Sequence, residues 1–328
     1  MKKFKAFIVS KHNDGTFHYS IGEKNISELP KGDLLIKVEY SSLNYKDALS
    51  ASGAIGITKE YPHTPGIDVA GTVEKSENSN FPFGTRVIVT GFDLGVNTNG
   101  GFAEYVRVPS EWAIKCPETL TTKECMMIGT AGLTAGLCLA KIEQQFSLDS
   151  SKIVVSGATG GVGSIAVKLL SNLGASVTAI TGKEGKKSFL KDLGCKEVID
   201  REKFVKSTRN PLNKGLYDAA IDVAGGQILS CIIASMKYNG IITVCGNVAG
   251  PKFETTVFPF ILRANQLIGI DSATSPINAR QKIWDNYSSI WKLNDLRKMC
   301  RMVYLEDLHI EIKKILRGEQ MGRILVKI

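Results

Sequence analysis

Over the first hundred residues the apolar positions come in short runs, alternate with polar ones and are cut by turn residues: FKAFIV, DLLIKVEY, VAGTVEKS, TRVIVTG and FAEYVRVP. A period of two marks half-buried strands and is clearest from Leu34 to Tyr40, so residues 4 to about 108 predict an all-β half. From about Met126 the period lengthens. IGTAGLTAGLCLAKIEQQ is small and apolar at helical spacing, and beyond it strands and helices alternate as far as about Gly269. Strands are predicted at 152–156, 176–180, 197–199, 219–222 and 241–245, and the helices VGSIAVKLLSNLG and KSFLKDLG each stop at a glycine. That alternation predicts a parallel, doubly wound α/β sheet of the dinucleotide-binding type. Further on, ARQKIWDNYSSIWKL sets Ile283, Trp284, Tyr287, Ile290 and Trp291 on one helical face as core packing. The terminal RILVKI predicts a strand that rejoins the N-terminal half.

At 328 residues the chain is long enough for two domains, and 43% hydrophobic residues exclude disorder. The basic start MKKFK is followed by an apolar run of only Ala6 to Val9, too short for the roughly 7 to 15 residues of a secretory leader. No apolar stretch is expected to reach the roughly 20 residues of a membrane span, so a soluble, cytoplasmic protein is expected. Seven cysteines without a C-x-x-C pair fit reduced core residues. The formal charge of +9 suits a solvated surface, or attraction to a polyanionic ligand such as a phosphorylated cofactor or a coenzyme A thioester. No basic run interleaved with aromatics favours nucleic acid.

The strongest local signal is KIVVSGATGGVGSIAVKLL, a β-branched strand that runs straight into Gly157, Gly160, Gly161 and Gly163 and then into an apolar helix. Without side chains, Gly160 and Gly161 let backbone N–H groups approach a pyrophosphate at the positive helix end, while Gly163 permits close packing of helix on sheet. The end of the next strand selects the cofactor. A carboxylate there would bind a ribose 2′-hydroxyl and repel a 2′-phosphate; this chain has Thr181, Gly182 and Lys183 instead, which favours NADPH. Glu184 follows one residue late.

SSLNYKDAL, PGIDVAGTV, IGTAGLTA, SGATGGVGS, TTVFPFILR, GIDS and GRILVKI, in that order, resemble the zinc-free, quinone-oxidoreductase-like branch of the medium-chain dehydrogenase/reductase superfamily. That branch includes NADPH-dependent acryloyl-CoA reductases. The resemblance spans essentially the whole chain and implies a GroES-like β domain at 1–126, with 268–328 returning to it, around a Rossmann NADPH-binding domain at 127–267. It places Tyr45 against the cofactor, Thr159, Gly160, Gly161 and Val162 at the pyrophosphate, and Thr181, Gly182, Lys183 and Arg201 around the 2′-phosphate. Asn247, Ile261 and Ser272 would follow the strands that line the nicotinamide.

Zinc-dependent members carry a Cys two residues before the position of Lys46 and Gly-His-Glu where this chain has Gly66-Ile67-Asp68. The two ligand positions are therefore Asn44 and Ile67, and neither an amide nor an isobutyl group replaces a thiolate or an imidazole. The stretch 91–112, where a structural zinc lobe would sit, has no Cys. A metal-free site is expected, with His63 as a packing residue. An alkene conjugated to a thioester needs only hydride at its β-carbon and a donor for the oxygen that gains charge, a role open to Asn44, Tyr45 or a backbone N–H. The resemblance thus implies reduction of a short 2-enoyl-CoA, acryloyl-CoA first, by a homodimeric enzyme. NADPH:quinone reduction is the alternative enzyme, and an NADPH-liganded RNA-binding or regulatory protein is the rival of another class.

Overall fold

The computed structural model describes residues 2–208 and 210–328, and all of their side chains except that of residue 184. In chain order the strands and helices begin with β1 (Lys3–Lys11), β2 (Phe17–Asn25), β3 (Leu34–Leu43), α1 (Tyr45–Ala51), β4 (Asp68–Ser76), β5 (Arg86–Thr90), β6 (Tyr105–Val108) and β7 (Ala113–Lys115). The long α2 (Thr122–Glu143) leads to β8 (Lys152–Val155), α3 (Gly161–Asn172), β9 (Ser176–Thr181), α4 (Lys187–Asp192), β10 (Glu197–Asp200), α5 (Arg201–Ser207) and β11 (Tyr217–Asp222). Then come α6 (Gly226–Ala234), β12 (Met236–Val244), α7 (Phe258–Arg263) and β13 (Gln266–Gly269). The chain closes with α8 (Ile277–Ser288), α9 (Leu296–Met299), β14 (Cys300–Tyr304), α10 (Leu308–Leu316) and β15 (Arg323–Lys327).

Two compact units result: Met1–Thr130 with Ala273–Ser288 and Asp295–Ile328, and Ala131–Ser272 with Ser289–Asn294. The first is the GroES-like body. Its main sheet runs β14-β15-β3-β4-β5-β7, with β6 also paired to β3, and β1 and β2 form a separate hairpin. Strands β4 and β15 both run antiparallel to β3, with Tyr40 opposite Ala70 and Leu43 opposite Ile324. The two strands therefore start where β3 ends. Leu34, Ile36, Val38, Val69, Val73, Val87 and Val89 fill one core of this unit, as their alternation requires.

The second unit is a six-stranded parallel sheet in the order β10-β9-β8-β11-β12-β13. Numbered from β8 this is 3-2-1-4-5-6, the order of dinucleotide-binding sheets, whose switch point lies at the carboxyl end of β8. The terminal strand β15 lies beside β3, as the sequence predicts.

Two expectations need correction. The helical face extended to Trp291 does not exist as one face: α8 stops at Ser288, whose Oγ donates back to the Asp285 carbonyl at 2.8 Å while its own carbonyl accepts from Thr119 Oγ1 at 3.2 Å. Ile290 is consequently exposed, and Trp291 is buried in the other unit. Secondly, α2 has 22 residues and is long and apolar enough to cross a bilayer by composition. It is nonetheless a largely buried core helix, and it is interrupted by Gly129 at φ 53, ψ −158.

Candidate active site

Because β4 and β15 start where β3 ends, four polar side chains from three segments of the chain converge there. Asp68 opens β4, Arg323 opens β15, Ser42 is the penultimate residue of β3, and Asn44 immediately precedes α1. The Asp68 carboxylate, fully buried, accepts from Ser42 Oγ at 2.5 Å, Asn44 Nδ2 at 2.8 Å, Thr130 Oγ1 at 2.5 Å and the Thr130 backbone N–H at 3.0 Å. Arg323, also buried, stands 3.6 Å from it and donates to Ser42 Oγ at 2.7 Å, Asn44 Oδ1 at 3.0 Å and the Met127 carbonyl at 3.2 Å. A buried charge persists only when paired and hydrogen-bonded, and here each partner has several bonds. Gly129 makes room: a Cβ on it would lie 2.5 Å from Asp68 Oδ2 and 2.7 Å from both Arg323 Nη2 and Ser42 Oγ.

Asn44, at the first of the two expected ligand positions, sits inside this frame. The Asn44 amide hydrogens go to Asp68 and, at 3.2 Å, to the Ser42 carbonyl, and its oxygen takes the arginine. Ile67 is a buried hydrocarbon. Zinc does not fit these residues, and among the described residues no group of three or more His, Cys, Asp or Glu side chains is placed to hold a metal. Asp47 fixes the same corner. Its carboxyl, fully buried, accepts from the backbone N–H groups of Asn44 (2.8 Å), Ile67 (2.8 Å) and Gly66 (3.1 Å), pinning the start of α1 to the Gly66-Ile67 turn. Burial pushes that carboxyl up to about 7, the nearby Asp68 charge adds to the rise, and the three N–H groups oppose it. His63 is a packing residue: buried, with Nε2 2.9 Å from the Gly95 carbonyl and its pKa lowered by burial.

Tyr45 is the first residue of α1. Its side chain is 37% exposed, and none of the described residues hydrogen-bonds its hydroxyl.

In the parallel-sheet unit, β8 ends in a turn with Gly157 at φ 56. Helix α3 then starts at Gly161 with Gly160 as its N-cap, so the N–H groups around Gly160, Gly161 and Val162 open the helix. Gly163 has no space for a side chain, since a Cβ would lie 2.4 Å from the Gly157 carbonyl oxygen. This tight cradle fits a dinucleotide pyrophosphate. Thr159 Oγ1 lies 3.3 Å from Thr181 Oγ1, which also accepts from the Lys183 backbone N–H at 3.1 Å. The Arg201 guanidinium covers Gly182, whose Cβ would come 3.0 Å from Cζ. The structure thus brings Thr159, Thr181, Gly182, Lys183 and Arg201 together. Arg201 and Lys206, with Val205, Ile228 and Ala249, also border a pocket of about 360 Å³. The Glu184 side chain lies outside the described groups.

The remaining predicted residues are more dispersed. Asn247 follows β12 and packs on the Gly225 turn, where a Cβ would lie 3.2 Å from its Cα. Ser272 Oγ accepts from Thr134 Oγ1 at 2.7 Å. Ile261 is 68% exposed on α7. Ser42, Asp47, Asp68, Gly129, Thr130 and Arg323 escape the sequence analysis as a group. The available signals were an arginine opening an apolar strand and a glycine inside an apolar helix.

Segment 161–289 matches the family described as zinc-binding dehydrogenase, and 30–118 the one described as alcohol dehydrogenase GroES-like domain. The acrylyl-CoA reductase AcuI of Ruegeria pomeroyi is 34% identical over 327 residues, 99% of both proteins. The Bacillus subtilis protein YhfP, provisionally named a quinone oxidoreductase, is 40% identical over 329 residues, again 99% of both. Its crystal structure with NAD bound superposes with a TM-score of 0.96 over 100% of both chains, at 39% identity. The YhdH oxidoreductase of Salmonella enterica in complex with NADP gives 0.94 at 39% identity over 99% of both chains. With both halves matched and the strand order of each sheet in place, the chain belongs to the medium-chain dehydrogenase/reductase superfamily, in the quinone-oxidoreductase-like branch that holds the acrylyl-CoA reductases.

Proposed function

We propose that the protein is an NADPH-dependent oxidoreductase that reduces an activated carbon–carbon double bond, acryloyl-CoA to propanoyl-CoA in the first place, without a metal. The observation that carries this reading is the cluster at the end of β9. Gly182 stands under Arg201, and its neighbours Thr181 and Lys183 occupy the place where a carboxylate would select NADH; two cations with a hydroxyl suit a 2′-phosphate. Thr159, Gly160, Gly161 and Val162 would hold the pyrophosphate, and the pocket beside Arg201 the adenosine end. Asn247, Ile261 and Ser272 are proposed for the nicotinamide end. NADPH, when bound, supplies a hydride.

The chain's own part is to stabilise the charge that develops on the thioester oxygen and to return a proton to the α-carbon. Oxyanion donors are worth about 3 to 4 kcal/mol in acyl chemistry, enough to stand in for a Lewis acid on a substrate that is already an electrophile. Both Asn44 amide hydrogens are engaged inside the protein, whereas none of the described residues hydrogen-bonds the Tyr45 hydroxyl. Tyr45 is therefore the proposed donor. The homodimer belongs to the same proposal: β13 is an edge strand with Leu267 exposed, and Val257, Phe258, Ile261 and Leu262 are exposed beside it on and before α7.

Quinone reduction is the second reading, supported by the name of the Bacillus relative. An NADPH-oxidation screen over acryloyl-CoA, crotonyl-CoA, free acrylate and a small quinone separates the two. Acryloyl-CoA should lead, with crotonyl-CoA about tenfold or more below it for its one extra methyl, and propanoyl-CoA should appear one for one with NADPH consumed. Turnover confined to the quinone would replace the first reading with the second.

A further inference from the structure

We propose that Arg323 and Asp68 are positioning residues for hydride transfer: their buried pair grips the Asn44 amide from both ends and so aims Tyr45. This rests on the function proposed above and adds to it the device that does what a metal and its ligands would otherwise do at this corner.

The amide of Asn44 is held on three sides. Arg323 Nη1 donates to its oxygen at 3.0 Å, while its nitrogen donates to Asp68 Oδ2 at 2.8 Å and to the Ser42 carbonyl at 3.2 Å. Only one orientation of the amide satisfies all three, because the arginine has no acceptor and the carboxylate no donor. The backbone N–H of Asn44 is meanwhile held by Asp47 at 2.8 Å. Residue 44 is thus fixed through side chain and backbone, and the next residue is Tyr45, at the first position of α1, with its side chain partly exposed. The orientation of a ring on a helix's first turn follows from where that helix starts, and here its starting residue is clamped.

Simple stabilisation does not account for this arrangement. A buried ion pair is often no better for stability than hydrocarbon of the same shape. The bonds here are spread over Ser42 and Asn44 at the end of β3 and Met127 and Thr130 in α2, two separate segments of the chain that meet at one corner. The planar guanidinium reaches the Asn44 oxygen and Ser42 Oγ at once through two different nitrogens, and a lysine ammonium lacks that fork.

The test is Arg323→Lys, which keeps a positive charge for Asp68 and removes the fork. The variant should keep its melting transition and its NADPH affinity, measured by cofactor fluorescence, while turnover at saturating substrate falls by about tenfold to 10²-fold, the scale of a small misplacement of a catalytic group. In 3-fluorotyrosine-labelled protein, the ¹⁹F resonance that disappears in Tyr45→Phe should shift or broaden in Arg323→Lys, with the other tyrosines unmoved. The turnover losses of Tyr45→Phe and Arg323→Lys should combine to less than their product, because a hydroxyl that is absent cannot be misaimed. Should Arg323→Lys fail to fold, the exchange Asp68→Leu with Arg323→Met leaves no unpaired charge, and it should regain the melting transition while turnover stays low. Full turnover in the folded variant, an unmoved Tyr45 resonance, or losses that multiply would overturn the inference. A wild-type protein inert toward acryloyl-CoA and quinone alike would sink the functional reading, and this inference with it; an active wild type with an unimpaired lysine variant would sink the inference alone.

Discussion

Gly129→Ala should be among the most damaging single-methyl additions in the protein. The residue sits inside α2 at φ 53, ψ −158, a region in which any side chain is strained, and strain of that kind costs about 1 to 3 kcal/mol. The added Cβ would also enter the Asp68–Arg323 pair, 2.5 Å from the carboxylate, 2.7 Å from the guanidinium and 2.7 Å from Ser42 Oγ. None of these is the loose end of a solvent-facing chain; all are buried and hydrogen-bonded. Relief requires the pair to part, and leaving a buried charge without its partner costs about 3 to 5 kcal/mol. Even with partial relaxation the sum is about 4 kcal/mol, a large share of the 5 to 15 kcal/mol that holds most proteins folded. Urea unfolding followed by far-ultraviolet circular dichroism measures it as a lower midpoint at unchanged slope. Gly185→Ala is the control, since its Cβ meets nothing within 4 Å, and it should stay within about 0.5 kcal/mol of wild type. A loss below about 1 kcal/mol for Gly129→Ala would refute the argument that this glycine exists to admit the ion pair.

Lys183→Ala should raise the Michaelis constant for NADPH by about tenfold, the scale of one charged hydrogen bond, and leave that for NADH nearly unchanged; equal effects would remove Lys183 from the phosphate site. Tyr45→Phe should lower turnover by about 10²-fold with NADPH affinity retained, whereas a loss confined to cofactor binding would reduce the hydroxyl to a cofactor contact. Elemental analysis should find no stoichiometric zinc and a chelator should leave activity intact, because Asn44 and Ile67 occupy the ligand positions; a tightly held metal contradicts this. Asp47, raised to about 7 by burial, holds in the folded state a proton that the unfolded chain releases near 4. Its contribution to stability is therefore full below about pH 4 and lost as pH rises toward about 7, so the melting temperature should fall across that window and fall less in Asp47→Asn, an identical slope in the variant counting against the assignment.

What the sequence shows of this molecule is mostly what short-range pattern can carry. The inner strands of the parallel sheet are buried on both faces, so their apolar runs at 153–155, 219–221 and 241–242 stand out. Strands β2 and β14 do not, because almost every residue in them is at least partly exposed and the alternation has nothing to contrast with. The glycine cradle is legible for the same local reason: strand, turn and helix are contiguous. The frame around Asn44 is not contiguous. Ser42 and Arg323 lie 281 residues apart and meet only because β15 pairs with β3 in one register, a fact that neither segment records alone. The substitution of the would-be metal ligands can be read at positions 44 and 67, but the replacement is written elsewhere, in a charge at the head of an otherwise apolar final strand. Charged residues are rarely buried unless paired. An arginine opening GRILVKI therefore demands an acid at the place where that strand begins, and the antiparallel order β15-β3-β4 leaves Asp68, the first residue of β4, to supply it.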